Sequence, residues 1–443
     1  MFVVISVEFS TRELDAQLLL AHSLARKGVQ CLVLYDQLAK VVAQEFAKRK
    51  LSYILVDKSA SSACLPKRIA LAKQGEKSLA YVIFQESFMN ITEDPDTRIL
   101  WKKYTDPRAS ELVDGFFMFG RRSADLLTED FPSLGSKIYS HGNPRTDLLQ
   151  ENHEFFYQDD VRALKQLYGK FILVNDAHLN PDWASSPGAI DLGFPAQWSD
   201  DKAWVSQGPP ATAEFHEYNK RFIGEFVHFL KDVASQSSDT FFILRPHPNN
   251  RPDMWGAAFR GAENILVQYH MPAEPWMLAS KLLLTDGCTT GLQMLAAKKQ
   301  VVSLDLLKRP HRHPSAISEL AEIKVKNSGE LIPALAAKSL PKLKDITIEN
   351  LNSYINCSGD ATSDIVNRVM QDAGDNGLLD QANFLDLQKF DLSNINVPAH
   401  QPWKWQAGLQ CRVRQKIHLL NEEKNSNIFV KKIGWNSFAI AEG

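Results

Sequence analysis

At 443 residues the chain is too long for one ordinary hydrophobic core, and its length favours two domains or three. Apolar residues at 44% and charged residues at 23% are those of a soluble globular protein, and a formal net charge of -2 supplies no global field for binding nucleic acid. The five cysteines (Cys31, Cys64, Cys288, Cys357 and Cys411) are odd in number and form no CxxC, which argues against a disulfide framework or a zinc site and fits a reducing cytoplasm.

The first residues, Phe2 to Val7, lack a basic leader and meet Glu8, Arg12 and Glu13 almost at once, so they read as a buried strand and not as a signal peptide. No apolar run approaches the ~18 residues of a membrane span, which leaves only a peripheral membrane role. Leu14, Leu18, Leu19, Leu20 and Leu24 give the next segment a helical apolar face, ended by Gly28. Ser10 and Glu13 have capping-box spacing, which gives Glu13 a structural explanation; Glu8, at the strand's carboxyl end, has none as ready. Strands at 31–34, 53–56 and 80–84 alternate with helices, the signature of a parallel, doubly wound sheet. The last of these strands runs into Gln85-Glu86-Ser87, which puts Glu86 at the ligand edge either as a general base for an acceptor hydroxyl or as a solvated charge. Beyond a strand at 115–119, the run from His141 to Asp147 is a tight turn displaying Arg145, which either pairs with Asp147 or faces an anionic donor.

The β-α pattern restarts at Phe171 to Val174, and a domain boundary is expected near residue 155, giving domains at 1–155 and 156–372 and an extension at 373–443. The new strand ends in Asn175-Asp176-Ala177-His178. Residues 180–210, rich in Pro, Gly, Ser and Trp, form a candidate acceptor loop or lid. Four apolar residues, Phe241 to Leu244, then run into Arg245-Pro246-His247-Pro248, where the two prolines bias Arg245 and His247 to extended backbone at a strand's carboxyl end. In an open parallel sheet ligands sit at that edge. Leu282 to Gly291 repeats the design: a strand, then Thr285-Asp286-Gly287-Cys288-Thr289-Thr290, whose small side chains and free N–H groups suit a phosphate. Together the two corners suit a nucleotide-linked sugar. No GxGxxG or GxxxxGK[ST] is present, which disfavours a dinucleotide site and a P-loop. The basic loop 308–314 has no nearby acid and reads as solvated or anion-binding, not metal-binding. The tail's mixture of Trp403, Trp405, Arg412, Lys431 and Trp435 reads as an extension packed on the domains or resting on a membrane surface.

Taken together, Val7-Glu8, Arg12-Glu13-Leu14-Asp15, Gly142-Asn143-Pro144-Arg145-Thr146-Asp147, Arg245-Pro246-His247-Pro248, Pro275-Trp276-Met277-Leu278 and Cys288-Thr289-Thr290-Gly291 resemble the bacterial surface polysaccharide biosynthesis family. That family is similar to capsule and lipopolysaccharide Kdo transferases. The resemblance implies an α/β, GT-B-like fold with two Rossmann-like, doubly wound parallel-sheet domains facing a cleft, and a cytidine-nucleotide donor. Carried over by position, it implies that His247 and Arg245 contact the donor phosphate. Asp286, Cys288, Thr289 and Thr290 would line the nucleotide pocket, Asn143 and Arg145 would be further donor contacts, and Glu8 and Arg12 would lie on the acceptor side. Gln293 stands where relatives have a ribose-holding glutamate, and Gln85-Glu86-Ser87 replaces an acidic cluster. Asp176 is where a retaining enzyme would place a nucleophile.

The expected activity is therefore a cytoplasmic glycosyltransferase, peripheral at the inner face of the membrane. It would move a sugar, Kdo-like in the family's manner, from a CMP-linked donor to a glycan or lipid-linked acceptor, with no obligate cofactor or metal and no nucleic-acid partner. The alternatives are a non-catalytic GT-B-like scaffold of polysaccharide assembly and a CDP-glycerol-type glycerophosphotransferase.

Overall fold

The structure is a computed structural model that describes residues 1–58, 65–84, 111–175, 213–247, 252–309, 315–336, 342–357, 360–379, 386–387, 390–393 and 408–442. These fall into two compact units, the first built from residues of 1–157 and 352–443, the second from residues of 158–351.

The first unit is organised on an eight-stranded sheet. Its parallel part comprises β1 (Phe2–Val7), β2 (Gln30–Tyr35), β3 (Ile54–Asp57), β4 (Leu79–Ile83), β5 (Gly115–Phe117) and β6 (Ile138–Tyr139), in the order β2-β1-β3-β4-β5-β6. All six residues of β1 are buried, as expected of a parallel strand covered on both faces. The helix Leu14–Ala25 packs against it, and the glycine after that helix, Gly28, takes the left-handed φ of +76° that ends a helix most cheaply. The capping-box expectation needs correction. Glu13 is fully buried, and its carboxylate accepts from the Glu8 and Phe9 N–H groups at 2.7 and 3.4 Å, so it ties the strand end to the helix start from one residue before the helix.

The chain's last residues complete this sheet. β13 (Ile428–Gly434) and β14 (Ser437–Glu442) form a hairpin, and β14 pairs antiparallel with β2, Phe438 opposite Val33. The helix Leu409–Lys424 turns two of its cations inward: Arg412 binds Asp15 at 2.6 Å, and the buried Lys416 donates to the Phe156 carbonyl with its ammonium 4.6 Å from that ring's centre. The helix Ala361–Asp375, expected to close the second domain, belongs to the first. The buried Asp147 carboxylate accepts from the N–H groups of Ala361 and Thr362 and from the Thr362 hydroxyl, at 3.1, 2.7 and 2.6 Å, and so caps it. The expected division at 372 therefore gives way to one at 351/352, and the described helix Leu409–Lys424 and hairpin 428–442 belong to the first unit.

His22 reports on that closure. It is 1% exposed, with Nε2 3.2 Å from Asn421 Oδ1 and 3.1 Å from Ser426 Oγ, and burial, offset in part by the Asn421 contact, lowers its pKa to about 4. A histidine that is neutral when folded and titrates at its ordinary ~6.5 when unfolded stabilises the fold fully above that value. The contribution is lost as pH falls towards 4. Urea unfolding of the first unit should weaken across that window, and His22→Gln should flatten the slope.

The second unit carries a six-stranded, all-parallel sheet in the order β12-β11-β10-β7-β8-β9. Its strands are β7 (Phe171–Asn175), β8 (Phe241–Arg245), β9 (Ile265–Val267), β10 (Leu283–Thr285), β11 (Val301–Leu304) and β12 (Ile323–Val325). The helix Ala213–Gln236 presents Phe222, Phe226, Leu230 and Val233 at helical spacing to a core that includes Ile172, Phe242, Leu284 and Trp255. Order and connectivity are those of a Rossmann-like, doubly wound sheet.

Candidate functional site

Four polar residues lie side by side where the strands of the second sheet end. The register pairs Ser303 with Thr285, Thr285 with Asn175, and Asn175 with Arg245, across β11, β10, β7 and β8. Asn175, Thr285 and Arg245 each close an apolar strand, Ser303 stands one residue before the end of its own, and all four are buried, between 1% and 6% exposed. A polar row inside a sheet is costly unless every member is used. Here each holds the loop or helix that follows.

Arg245 holds the turn after β9. Its two Nη atoms donate to the carbonyls of His270 and Met271, each at 2.8 Å, and its guanidinium carbon lies 5.5 Å from the Trp276 ring centre. Trp276 Nε1 donates to the same His270 carbonyl at 3.1 Å. Met271 has φ +66°, a left-handed conformation that costs a non-glycine residue ~1–2 kcal/mol and persists where neighbours impose it. Burial lowers the Arg245 pKa to about 10, with Tyr269 and Glu274 acting the other way, so it stays cationic near neutrality. Both Nη atoms of Arg245 are thus on carbonyls, which gives it a positioning role for the turn after β9. His247, two residues on, is half-buried and extends beyond that anchored corner.

Thr285 shapes the second corner. Its hydroxyl accepts from the N–H groups of Gly287 and Cys288, at 3.4 and 3.0 Å. Gly287 has φ +125°, and a Cβ there would sit 2.6 Å from Ser315 Oγ and 2.8 Å from Arg309 Nη2, so glycine is required. Asn175 Nδ2 donates to Thr290 Oγ1 at 2.9 Å, while its Oδ1 is buried and accepts no hydrogen bond. Cys288, Thr289 and Thr290 are half-buried at this corner, and Asp286 is buried beside them. Gln293 is buried, its Nε2 3.4 Å from Glu274 Oε1. The Tyr218 hydroxyl is pushed up to about 12 by burial, against the pull of Arg309 and with Asp286 and Asp305 reinforcing it, which gathers those four around the same corner. Asp286, Cys288, Thr289 and Thr290 lie within one five-residue corner between β10 and the helix that follows. The structure adds Asn175, which ends an apolar strand, Arg309 of the basic loop, and Ser315 and Tyr218, for which the sequence carried no signal.

The first unit holds the other candidates. Glu8 follows β1 and pairs with Lys58, and Arg12 pairs with Glu13 at 2.6 Å over the Phe9 ring. Asn143 is fully buried: its Oδ1 accepts from the Arg145 N–H at 2.9 Å and its Nδ2 donates to the Phe84 carbonyl at 2.8 Å. Both ends of its amide are therefore engaged by the local frame, which gives Asn143 a capping role. Arg145 is 4% exposed. Glu86 and Asp176 lie outside the described residues, as do the loop at 180–210, residues 310–314, Trp403 and Trp405. Among the described residues, no group of three or more His, Cys, Asp or Glu side chains is placed to hold a metal, and no helix is long and apolar enough to cross a membrane.

No family model matches the chain, and no curated protein sequence matches it. Solved structures do. The UDP-GlcNAc 2-epimerase of Methanocaldococcus jannaschii, in complex with UDP-GlcNAc and UDP, is similar at a TM-score of 0.53 and 12% identity, over 84% of this chain and 100% of that one. The wall teichoic acid polymerase TagF, as a single-residue variant, is similar at a TM-score of 0.50 and 14% identity, over 86% of this chain and 90% of that one. At these identities the likeness shows the fold, an α/β, GT-B-type architecture in which each unit is built on a Rossmann-like sheet, all-parallel in the second unit and parallel over β1 to β6 in the first.

Proposed function

We propose that the chain is a GT-B transferase of surface-glycan synthesis whose second unit holds a nucleotide-linked donor. The observation that carries this reading is the buried polar row Ser303, Thr285, Asn175 and Arg245, which sets two corners at the edge where α/β sheets bind ligands. His247 stands at one corner; Cys288, Thr289 and Thr290 stand at the other. Strand order separates β8 from β10 by β7, so the corners lie two strand spacings apart, about 10 Å. The work of such a site is to fix the leaving phosphate with preset donors as an acceptor hydroxyl displaces it. The sugar would be Kdo-like on a CMP donor if the family resemblance extends to substrate.

The likeness to a wall teichoic acid polymerase favours a second reading, transfer of a glycerophosphoryl unit from a CDP-linked donor. The buried Gln293, turned to Glu274 where relatives have a glutamate for ribose, favours a third, a scaffold that has lost transfer.

Thermal-shift and calorimetric titration with CMP, CDP, UDP and GDP separates these readings, because a ligand of the folded state raises its stability. A cytidine-selective shift that disappears in His247→Ala supports the donor site, and release of nucleotide from CMP-Kdo or CDP-glycerol then selects the chemistry. Absence of any nucleotide shift sinks the donor-site reading. Unchanged turnover in EDTA is expected; loss that a divalent ion restores would count against a metal-free mechanism.

A further inference from the structure

All strands of the second sheet run the same way, so they start at one edge, and the two corners described above lie at the other. What precedes the strands forms a surface of its own. The register continued back from the strand starts sets Lys299 beside Lys281, and Lys281 beside Phe171, to whose carbonyl its N–H donates at 2.9 Å. Lys170 immediately precedes β7, and Phe241 opens β8 in register with Phe171. The helix Gln158–Tyr168, which feeds β7, adds Lys165 and Leu167 in its last turn, and Lys298 stands next to Lys299. Lys165, Lys170 and Lys298 are exposed; Leu167 is 72% exposed and Phe241 41%.

The cations at this edge are not neutralised from within the fold. Lys299 donates to the carbonyls of Met277, Leu278 and Ser280 at 3.0, 2.6 and 2.7 Å, and Lys281 donates to that of Leu335 at 2.8 Å. Among the described residues, no carboxylate pairs with Lys165, Lys170, Lys281 or Lys299. Burial, with the like charge of Lys165 adding to it, lowers the Lys299 pKa to about 8, which puts these two ammoniums within each other's field. Asp239 before β8 and Glu263 before β9 end the basic stretch on that side.

A cationic edge flanked by two exposed apolar side chains matches a bilayer with anionic headgroups, where lysines act as point charges in a diffuse field and apolar tips enter the interface. A nucleic acid is met better by arginine's planar fork, and all five of these cations are lysines. We propose that the amino edge of the second unit's sheet is a docking surface for an anionic lipid bilayer. Lys165, Lys170 and Lys298 face the headgroups, and Leu167 and Phe241 enter between them. Docking there leaves both corners uncovered, because they lie at the opposite edge of the same sheet. The inference does not depend on the donor-site reading.

The test sediments the full chain with vesicles of phosphatidylcholine alone and with phosphatidylglycerol added, at low and at raised salt. Binding should require the anionic lipid and weaken with salt. The double variant Lys165→Gln, Lys170→Gln should lower vesicle affinity about 25-fold, about fivefold for each lysine, and Leu167→Ser should lower it about tenfold. All three side chains are exposed, so melting temperature and the nucleotide shift should stay as in the wild type. Lys432→Gln, at an exposed lysine of β13, should leave vesicle binding unchanged. No binding to the anionic vesicles, equal binding to both kinds, or a double variant that binds as wild type does overturns the proposal. Loss in Lys432→Gln overturns it too, by moving the contact to the C-terminal hairpin, and so does capture of a DNA duplex in place of vesicles. Vesicle binding without any nucleotide shift sinks the donor-site reading alone and leaves this surface standing.

Discussion

Arg68→Ala should lower the unfolding free energy of the first unit by about 3–5 kcal/mol, the cost of leaving a buried charge without its partner. Arg68 is 2% exposed and the Asp57 side chain 0%; the guanidinium grips both carboxylate oxygens and also donates to the Asp36 carbonyl at 3.3 Å. Truncation removes the cation and leaves Asp57 charged in an interior that cannot solvate it. The double variant Arg68→Met, Asp57→Leu should recover most of the loss, because replacing a whole buried pair by apolar groups is often neutral. Urea denaturation of the wild type, the two single variants and the double variant closes the cycle. A loss under about 1 kcal/mol in Arg68→Ala would mean that the pair behaves as a solvated surface bridge.

The second large effect is expected at Arg245. Its replacement by alanine takes the guanidinium from the Met271 carbonyl, leaves the His270 carbonyl to Trp276 Nε1 and removes the cation from Trp276, a combined loss of about 2 kcal/mol. Arg245→Lys should recover little of it, since a single ammonium cannot reproduce a planar fork spanning two carbonyls. The contrast with His247 decides between scaffold and contact roles. Arg245→Ala should lower the melting temperature with no ligand present, and hydrogen exchange should show the 268–272 turn released. His247→Ala should leave the ligand-free protein unchanged and abolish only the nucleotide shift. A ligand-free melting temperature that is unmoved in Arg245→Ala would return that residue to the donor phosphate.

Much of this architecture is legible along the chain because parallel strands buried on both faces announce themselves as short apolar runs. Phe2–Val7, Ile265–Val267 and Val301–Leu304 fall where those runs are. Less was legible where a residue's partner is remote. Nothing in Arg245-Pro246-His247 distinguishes a guanidinium that leaves the sheet for a phosphate from one that folds back on the carbonyls at 270 and 271, since both need an arginine at a strand end. Ile323–Val325 was missed because three residues around a lysine show no period. The hairpin at 428–442 was missed for a different reason: its polar and aromatic mixture reads as a surface extension until β2, some 400 positions earlier, is seen to lack a neighbour on that side. Of the candidate site, the second corner was readable from Thr285 to Thr290, whereas Asn175 and Ser315 became visible only when the register set them beside it.

The antiparallel pairing of β14 with β2 also fixes the order in which the molecule is finished. Emerging domains usually complete themselves from the N-terminus onward during synthesis. Here residues 158–351 lie between the two parts of the first unit, which is begun first and yet lacks β14 until that stretch has been made. Until then β2 exposes an unpaired edge of apolar residues, Cys31 to Tyr35, for as long as the ribosome takes to produce the remaining four hundred. The N-terminal half of the nascent chain is therefore the part that most needs a chaperone, and stalled or C-terminally clipped products are the ones expected to aggregate.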